Sequence, residues 1–448
     1  MHWVRETLSS RRDRIACIEG GRRVSYGDLV DWIDRTAAEL RRALGERQGE
    51  VVAIRSAGVI EGIAALLAIH STGQVALPQP DELSAAETAA QTAIAEPAWS
   101  LFPDRDTPRV EARSSNRSHP LVEALRSTSR PGLILFSSGT SGQPKGMLHD
   151  LESLLARFRG LPSRQDRTLQ LLLTDHIGGI DAALRCLFAG STLVVPEART
   201  PEAAGRAIET HAVNILPASP TFLNLMLLQR IPERFECGTV EIIAYGAEPM
   251  PAPLLSRLSE AFPRADLQQK FGTSETGAVR IRSRSRDSLE FRIHETDTEW
   301  KVIAGELWLK TPSRILGYLN ADEDSLESGG WYRTGDLVEE SPEGFLRIVG
   351  RQTGWINLGG QKVHPSEIEG VLASLPGVLA CKVTARPDPL TGSALDCELT
   401  VGEDHDPDPA EWKRRVRNHA RGKLPPWKIP SRVRVSHRLG ITPRMKRA

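Results

Sequence analysis

With 448 residues, 40% hydrophobic and 25% charged, the chain is long enough for about two to three domains around buried cores. Lysine plus arginine equals aspartate plus glutamate at 57 each, which excludes an overall field drawing the protein to nucleic acid or to an anionic membrane and leaves a small ligand as the default partner. The five cysteines, Cys17, Cys186, Cys237, Cys381 and Cys397, are far apart, odd in number and include no Cys-x-x-Cys pair, which supports neither a zinc knuckle nor a disulfide framework.

The opening, Met1 to Glu6, lacks an apolar signal core, and the early apolar stretch 59–69 is interrupted by Glu61, so a cytoplasmic protein without a membrane span is expected. Ser25-Tyr26-Gly27-Asp28 has capping-box form and precedes Leu29, Ile33, Ala37, Leu40 and Leu44, an apolar stripe that predicts a core helix. Residues 51–54 predict a buried strand, 59–70 a helix stopped at Gly73, and 75–77 the next strand; strand, helix, strand implies a parallel sheet. Residues 81–130 are rich in Ala, Ser, Pro and Arg and define no element. Strands are predicted again at 133–136, 170–173, 192–195, 214–217 and 241–244, with helical patterns between.

The fold class expected is therefore α/β: a large multi-layer N-terminal body, residues 1–349, followed by a small mobile α+β domain, residues 350–448. The second unit is marked by a helix at 365–375, strands at 380–385 and 395–401, and a charged helix at 409–422.

The 133–136 strand runs into Ser137-Ser138-Gly139-Thr140-Ser141-Gly142-Gln143-Pro144-Lys145-Gly146. Hydroxyls, exposed amides and a lysine in one tight loop make an anion cradle. Lys145 follows Gly142 by three residues and precedes glycine, which is not Walker spacing. By itself such a stretch is most often a connector. Four further segments change that reading: Phe271-Gly272-Thr273-Ser274-Glu275; Trp331-Tyr332-Arg333-Thr334-Gly335-Asp336; Gly350-Arg351 with Gly359-Gly360-Gln361-Lys362-Val363-His364-Pro365-Ser366-Glu367; and Ile441-Thr442-Pro443-Arg444-Met445-Lys446.

With these in order, the chain resembles the adenylate-forming superfamily of acyl-CoA synthetases, peptide-synthetase adenylation domains and luciferases. The resemblance implies that Ser137, Ser138, Gly139, Thr140, Ser141, Gly142 and Lys145 bind the phosphates of ATP. It places Gly246, Ala247, Glu248, Phe271, Gly272, Thr273 and Ser274 around the nucleotide, with Phe271 near adenine. Glu275 would be the magnesium ligand, Asp336 would accept from both ribose hydroxyls, and Arg351 would lie beside the same nucleotide. Lys446 would enter the site during adenylation, Thr353 would be the hinge, and Gly359 and Gly360 would face the site after domain rotation. Lys446 lacks the preceding glycine of the family motif, Thr353 stands where an acidic hinge residue is usual, and Asn357 where lysine is common.

The acid pocket implied is lined by the segments carrying Asp175, His176 and Gly178, then Ser219, then Tyr245 and Gly246. His176-Ile177-Gly178-Gly179 is similar to the His-x-x-Gly of acyl- and aroyl-CoA ligases, which leans toward a small carboxylic acid without an α-amino group. Asp175 replaces the usual aromatic residue, which keeps a polar or amine-bearing acid open, and it reads equally as a cap on the following segment. The expected cofactors are ATP and Mg2+. The acceptor is coenzyme A, a carrier-protein phosphopantetheine or an amine, with coenzyme A favoured. A nucleotide-binding pseudoenzyme is the rival; Lys145, Glu275, Asp336, Arg351 and Lys446 together argue against it.

Overall fold

The computed structural model describes residues 2–113, 118–138, 143–321, 325–358, 361–388, 392–402 and 404–437. The capping box is formed: Ser25 Oγ accepts from Asp28 N and the Asp28 carboxylate accepts from Ser25 N, starting the helix Tyr26–Leu44. All five stripe residues are buried along it. The strand Val51–Ile54, the helix Val59–Ser71 and the strand Val75–Pro78 follow as the patterning predicts, with Gly73 at φ +71 ending the helix.

Two seven-stranded sheets form most of the body. One carries, in spatial order, Gly317–Tyr318, Pro144–Asp150, Gly132–Ser138, Val75–Pro78, Val51–Ile54, Trp99–Phe102 and Arg109–Ala112. The Asp81 to Arg130 region, left without elements by composition, contributes the last two of these and the helices Ala85–Ala95 and Pro120–Ser127. The other runs Asp266–Gln269, Ile242–Tyr245, Ile215–Ala218, Arg167–Leu169, Thr192–Val195, Ile15–Glu19 and Arg22–Ser25. The largest apolar core collects side chains of Tyr26–Leu44, Val59–Ser71 and Ile177–Phe188 between these layers.

In the second sheet the chain moves from Arg167–Leu169 to Thr192–Val195 on one side, then crosses to Ile215–Ala218 on the other, all in parallel. That reversal of strand order opens a crevice at the carboxyl ends of neighbouring strands, where ligands of open α/β sheets bind. The strand expected at 170–173 lies instead at Arg167–Leu169. Gln170 keeps one ladder bond to Val194 O, and its side chain then donates to Leu172 O at 2.6 Å and Gly179 O at 3.3 Å, turning the backbone out of the sheet.

A third, antiparallel sheet departs from the α/β alternation. Its main path is Ile281–Ser283, Phe291–Ile293, Leu346–Arg351, Trp331–Glu340, Glu306–Lys310 and Glu299–Ile303. The smaller C-terminal domain packs the helices Pro365–Leu372 and Pro409–Ala420 on the strands Val378–Asp388, Gly392–Val401 and Arg432–Ser436, around Trp412, Ile368 and Leu399. Asn224, on a helix of the large body, donates to Leu379 O of this domain at 2.9 Å. No described helix is long and apolar enough to cross a membrane.

Candidate active site

The predicted anion cradle falls between two paired strands: Gly132–Ser138 pairs antiparallel with Pro144–Asp150, with Ser137 opposite Lys145. Gly139, Thr140, Ser141 and Gly142 lie outside the described residues, as does the Ser138 side chain. Asn320 clamps the second of these strands, its Oδ1 accepting from Gly146 N at 2.9 Å and its Nδ2 donating to Pro144 O at 2.9 Å. Lys145 Nζ sits 5.7 Å from the centre of the Tyr318 ring, a distance at which an ammonium is attracted to the ring face. Asn320 and Tyr318 had no sequence signal; pairing of Gly317–Tyr318 with the hairpin brings them in.

Tyr318 links the hairpin to the next segment, its hydroxyl donating to Glu275 Oε1 at 3.1 Å. Glu275 stands in the turn between Phe271–Thr273 and Gly277–Val279. Thr273 Oγ1 holds that turn by accepting from Glu275 N and Thr276 N at 3.2 Å, and Glu275 O accepts from Ile315 N at 2.7 Å. A Cβ at Gly272 would lie 2.3 Å from Gly277 O, so only glycine fits where the two strands close. Phe271, expected near adenine, is 6% exposed and stacks one ring face on Phe291 at 5.5 Å.

Asp336 and Arg351 meet across paired strands, Arg351 Nε donating to Asp336 Oδ1 at 2.9 Å. Burial raises the Asp336 carboxyl above its ordinary range, and the guanidinium opposes that shift. Glu275 acts electrostatically on both residues and on the buried Tyr332, so the two predicted nucleotide segments share one charge cluster. The backbone N–H of Arg351 donates to His364 Nε2 at 3.0 Å, and Gly350 and Gly354 lie so close to that ring that a Cβ would approach it at 2.7 and 2.5 Å. Thr353 falls inside the short 3₁₀ turn Gln352–Gly354. Gly359, Gly360 and Lys446 lie outside the described residues.

The segments expected to hold the acid converge on the crevice. His176 takes the N-cap position of Ile177–Phe188, one residue after Asp175. Asp175 is 4% exposed, with Oδ1 3.8 Å from His176 Nε2. Gly178 is exposed, and a Cβ at Gly179 would lie 1.9 Å from Leu173 O, which seats this helix start against the preceding loop. Ser219 caps Pro220–Leu228 by accepting from Phe222 N at 3.1 Å. Glu248 Oε2 accepts from Thr221 N at 3.2 Å, tying the 245–248 turn to the same helix start, where a carboxylate is favoured. Ala247 holds φ +67 in that turn, a conformation L residues adopt at a cost. Tyr245 is 1% exposed, its hydroxyl has no hydrogen-bond partner among the described residues, and burial pushes its pKa up.

Among the described residues no group of three or more His, Cys, Asp or Glu side chains is placed to hold a metal ion. A single half-buried carboxylate, Glu275, beside an anion cradle suits a magnesium ion carried in largely by phosphate oxygens, which is how that ion commonly binds.

A switch-point crevice flanked by an anion cradle and a carboxylate cluster, joined to a small C-terminal domain, defines a nucleotide-using enzyme. The chain belongs to the AMP-binding enzyme family, within the adenylate-forming superfamily: the AMP-binding enzyme model matches residues 4–319 and the AMP-binding enzyme C-terminal domain model matches residues 367–446. It is 26% identical to a 2-succinylbenzoate–CoA ligase of Bacillus subtilis (strain 168), over 98% of this chain and 94% of that one. It is also 26% identical to the 4-coumarate–CoA ligase-like 9 protein of Arabidopsis thaliana, over 82% of this chain and 74% of that one. The solved amide bond synthetase McbA from Marinactinospora thermotolerans shares its fold with a TM-score of 0.78 at 22% identity, over 98% and 96% of the two chains.

Proposed function

We propose that the protein activates a small aryl or acyl carboxylic acid with ATP, releasing pyrophosphate, and passes the acyl group to a thiol, with coenzyme A as the favoured acceptor. The observation that carries the first half is the single cluster of Lys145, Tyr318, Glu275, Asp336 and Arg351 beside the crevice. Lys145 and the loop hydroxyls hold the phosphates, Asp336 accepts from the ribose, and the crevice orients the acid carboxylate toward the α-phosphorus. Magnesium, where bound at Glu275, offsets charge on the phosphate oxygens. The domain division falls at residue 350, and Thr353 serves as the hinge by which the second domain replaces Lys446 with Gly359 and Gly360. Coenzyme A is favoured by the CoA-ligase relatives. Transfer to an amine is the second reading, favoured by the fold shared with an amide bond synthetase.

The test is acid-dependent pyrophosphate release across aryl, alkyl and amino acids, with mass detection of acyl-AMP and then of thioester or amide after adding coenzyme A or an amine. Acyl-AMP followed by thioester is expected. ATP bound without pyrophosphate from any acid would favour the pseudoenzyme, and amide without thioester would replace the thiol acceptor. In Lys446→Ala, adenylation falls about 100-fold while supplied acyl-AMP still gives thioester, because a cation that stabilises charge at the α-phosphate matters only to the first step. Equal loss in both half-reactions would remove Lys446 from that role.

A further inference from the structure

Lys270 was not among the residues singled out by motif, yet it stands in the wall of the crevice. Its backbone N–H donates to Tyr245 O at 2.7 Å, which puts it beside Tyr245 at the carboxyl end of the sheet and immediately before Phe271. A Cβ added at Gly246 would meet Lys270 O at 2.7 Å and Lys270 Cβ at 3.3 Å, so the two segments touch. Lys270 is open to solvent, and enough protein surrounds it for desolvation to lower its pKa.

The charges around it do not balance. Its Nζ donates to Gln268 Oε1 at 3.0 Å, and among the described residues no carboxylate lies within 4.0 Å. From the Ile177–Phe188 helix it feels Asp181 and Arg185, and along its own strand Asp266. Asp181 is already held by Arg157 at 3.4 Å and by Arg185 at 3.6 Å. Arg157 lies 3.7 Å from Glu295, which is shared with Arg280 at 3.9 Å. Arg157, Arg185, Arg280 and Lys270 thus face Asp181, Glu295 and Asp266, a surplus of one positive charge. Lys270 is the member without a carboxylate partner. The plain alternative is a solvated edge-strand lysine; its seat against Gly246 and Tyr245 beside the acid segments argues for a binding role.

We propose that Lys270 determines substrate specificity by pairing with a second anionic group on the acid, so that the preferred substrates are dicarboxylic acids activated at one carboxylate only. An ammonium in a partly desolvated wall rewards a carboxylate that completes its pairing and selects against a neutral group there. This deepens the adenylation reading and rests on it.

The experiment compares an aryl dicarboxylate, its mono-ester and an amine-bearing aryl acid in pyrophosphate release, with wild type, Lys270→Met and Lys270→Arg. Wild type is expected to favour the diacid over its mono-ester by about 10- to 100-fold in kcat/KM, mostly through KM. Lys270→Met flattens that ratio and Lys270→Arg restores part of it. Wild-type preference for the ester or the amine-bearing acid, or an unchanged ratio in Lys270→Met, overturns the assignment. Calorimetric binding of the diacid in the absence of turnover separates the two claims. Binding that weakens with salt and in Lys270→Met supports Lys270 even if no acid releases pyrophosphate, whereas no binding by wild type overturns it.

Discussion

Glu275→Gln lowers acid-dependent pyrophosphate release by about 1,000-fold, within the range seen when one preorganised electrostatic contact to a developing charge is removed. The amide keeps an oxygen in place of Glu275 Oε1, so Tyr318 retains an acceptor and the turn keeps its bonds through Thr273 Oγ1 and Ile315 N. What is lost is charge. A neutral oxygen is a poor ligand for a hard divalent cation, and the concentration of magnesium needed for half-maximal rate should rise in parallel. The same change acts on Asp336, whose pKa is raised in part by Glu275; the variant should ionise that carboxyl more readily and hold its pair with Arg351 at least as firmly. Nucleotide binding should therefore survive while turnover falls, as measured by calorimetry with ATP alone and by pyrophosphate release. A loss below about 10-fold, or collapse of ATP affinity with unchanged turnover at saturation, would remove Glu275 from the metal-side role.

The parts of this molecule legible in its sequence are those where local chemistry and tertiary packing agree. The Ser25 capping box, the buried 51–54 strand and the Gly73 stop are each decided within a few residues, and the structure has all three. The 170–173 strand fails for the opposite reason. Its apolar run suits a strand, but Gln170 turns its side-chain amide onto Leu172 O and Gly179 O, and the helix start packs so closely at Gly179 that the backbone must leave the sheet. No local pattern announces that contact.

The site divides the same way. Glu275, Asp336 and Arg351 were visible because motif segments carry them, and the fold joins them electrostatically. Tyr318, Asn320 and Lys270 were not, because each matters only through a neighbour distant in sequence: the hairpin for the first two, and Tyr245 and the Ile177–Phe188 helix for the third. Phe271 is visible in its motif, but its stacking on Phe291, a partner the motif does not contain, is not.

His149 makes folding stability sensitive to mild acid. It lies on the Pro144–Asp150 strand that carries Lys145, it is fully buried, and its pKa is lowered by that burial from the ordinary 6.5 to about 4. The backbone at Ser274 and Ser313, beside the Glu275 turn, opposes the shift only in part. Above about pH 6.5 the ring is neutral in both folded and unfolded chains and costs nothing. As pH falls toward 4 the unfolded chain takes up a proton that the folded one refuses, so stability is progressively lost, by about 2 kcal/mol at pH 5 and about 3 kcal/mol in all. Below about pH 4 the folded state protonates too and this contribution levels off. In His149→Leu the unfolding midpoint in urea should therefore depend less on pH between 8 and 5 than in wild type. His70, also lowered by burial although Glu152 accepts from its ring at 2.6 Å, adds a slope common to both proteins that cancels in the comparison. Equal acid sensitivity in the two would mean that His149 finds a proton acceptor good enough to keep its ordinary pKa. A reduced slope would locate an acid-labile point directly behind the turn that presents Glu275.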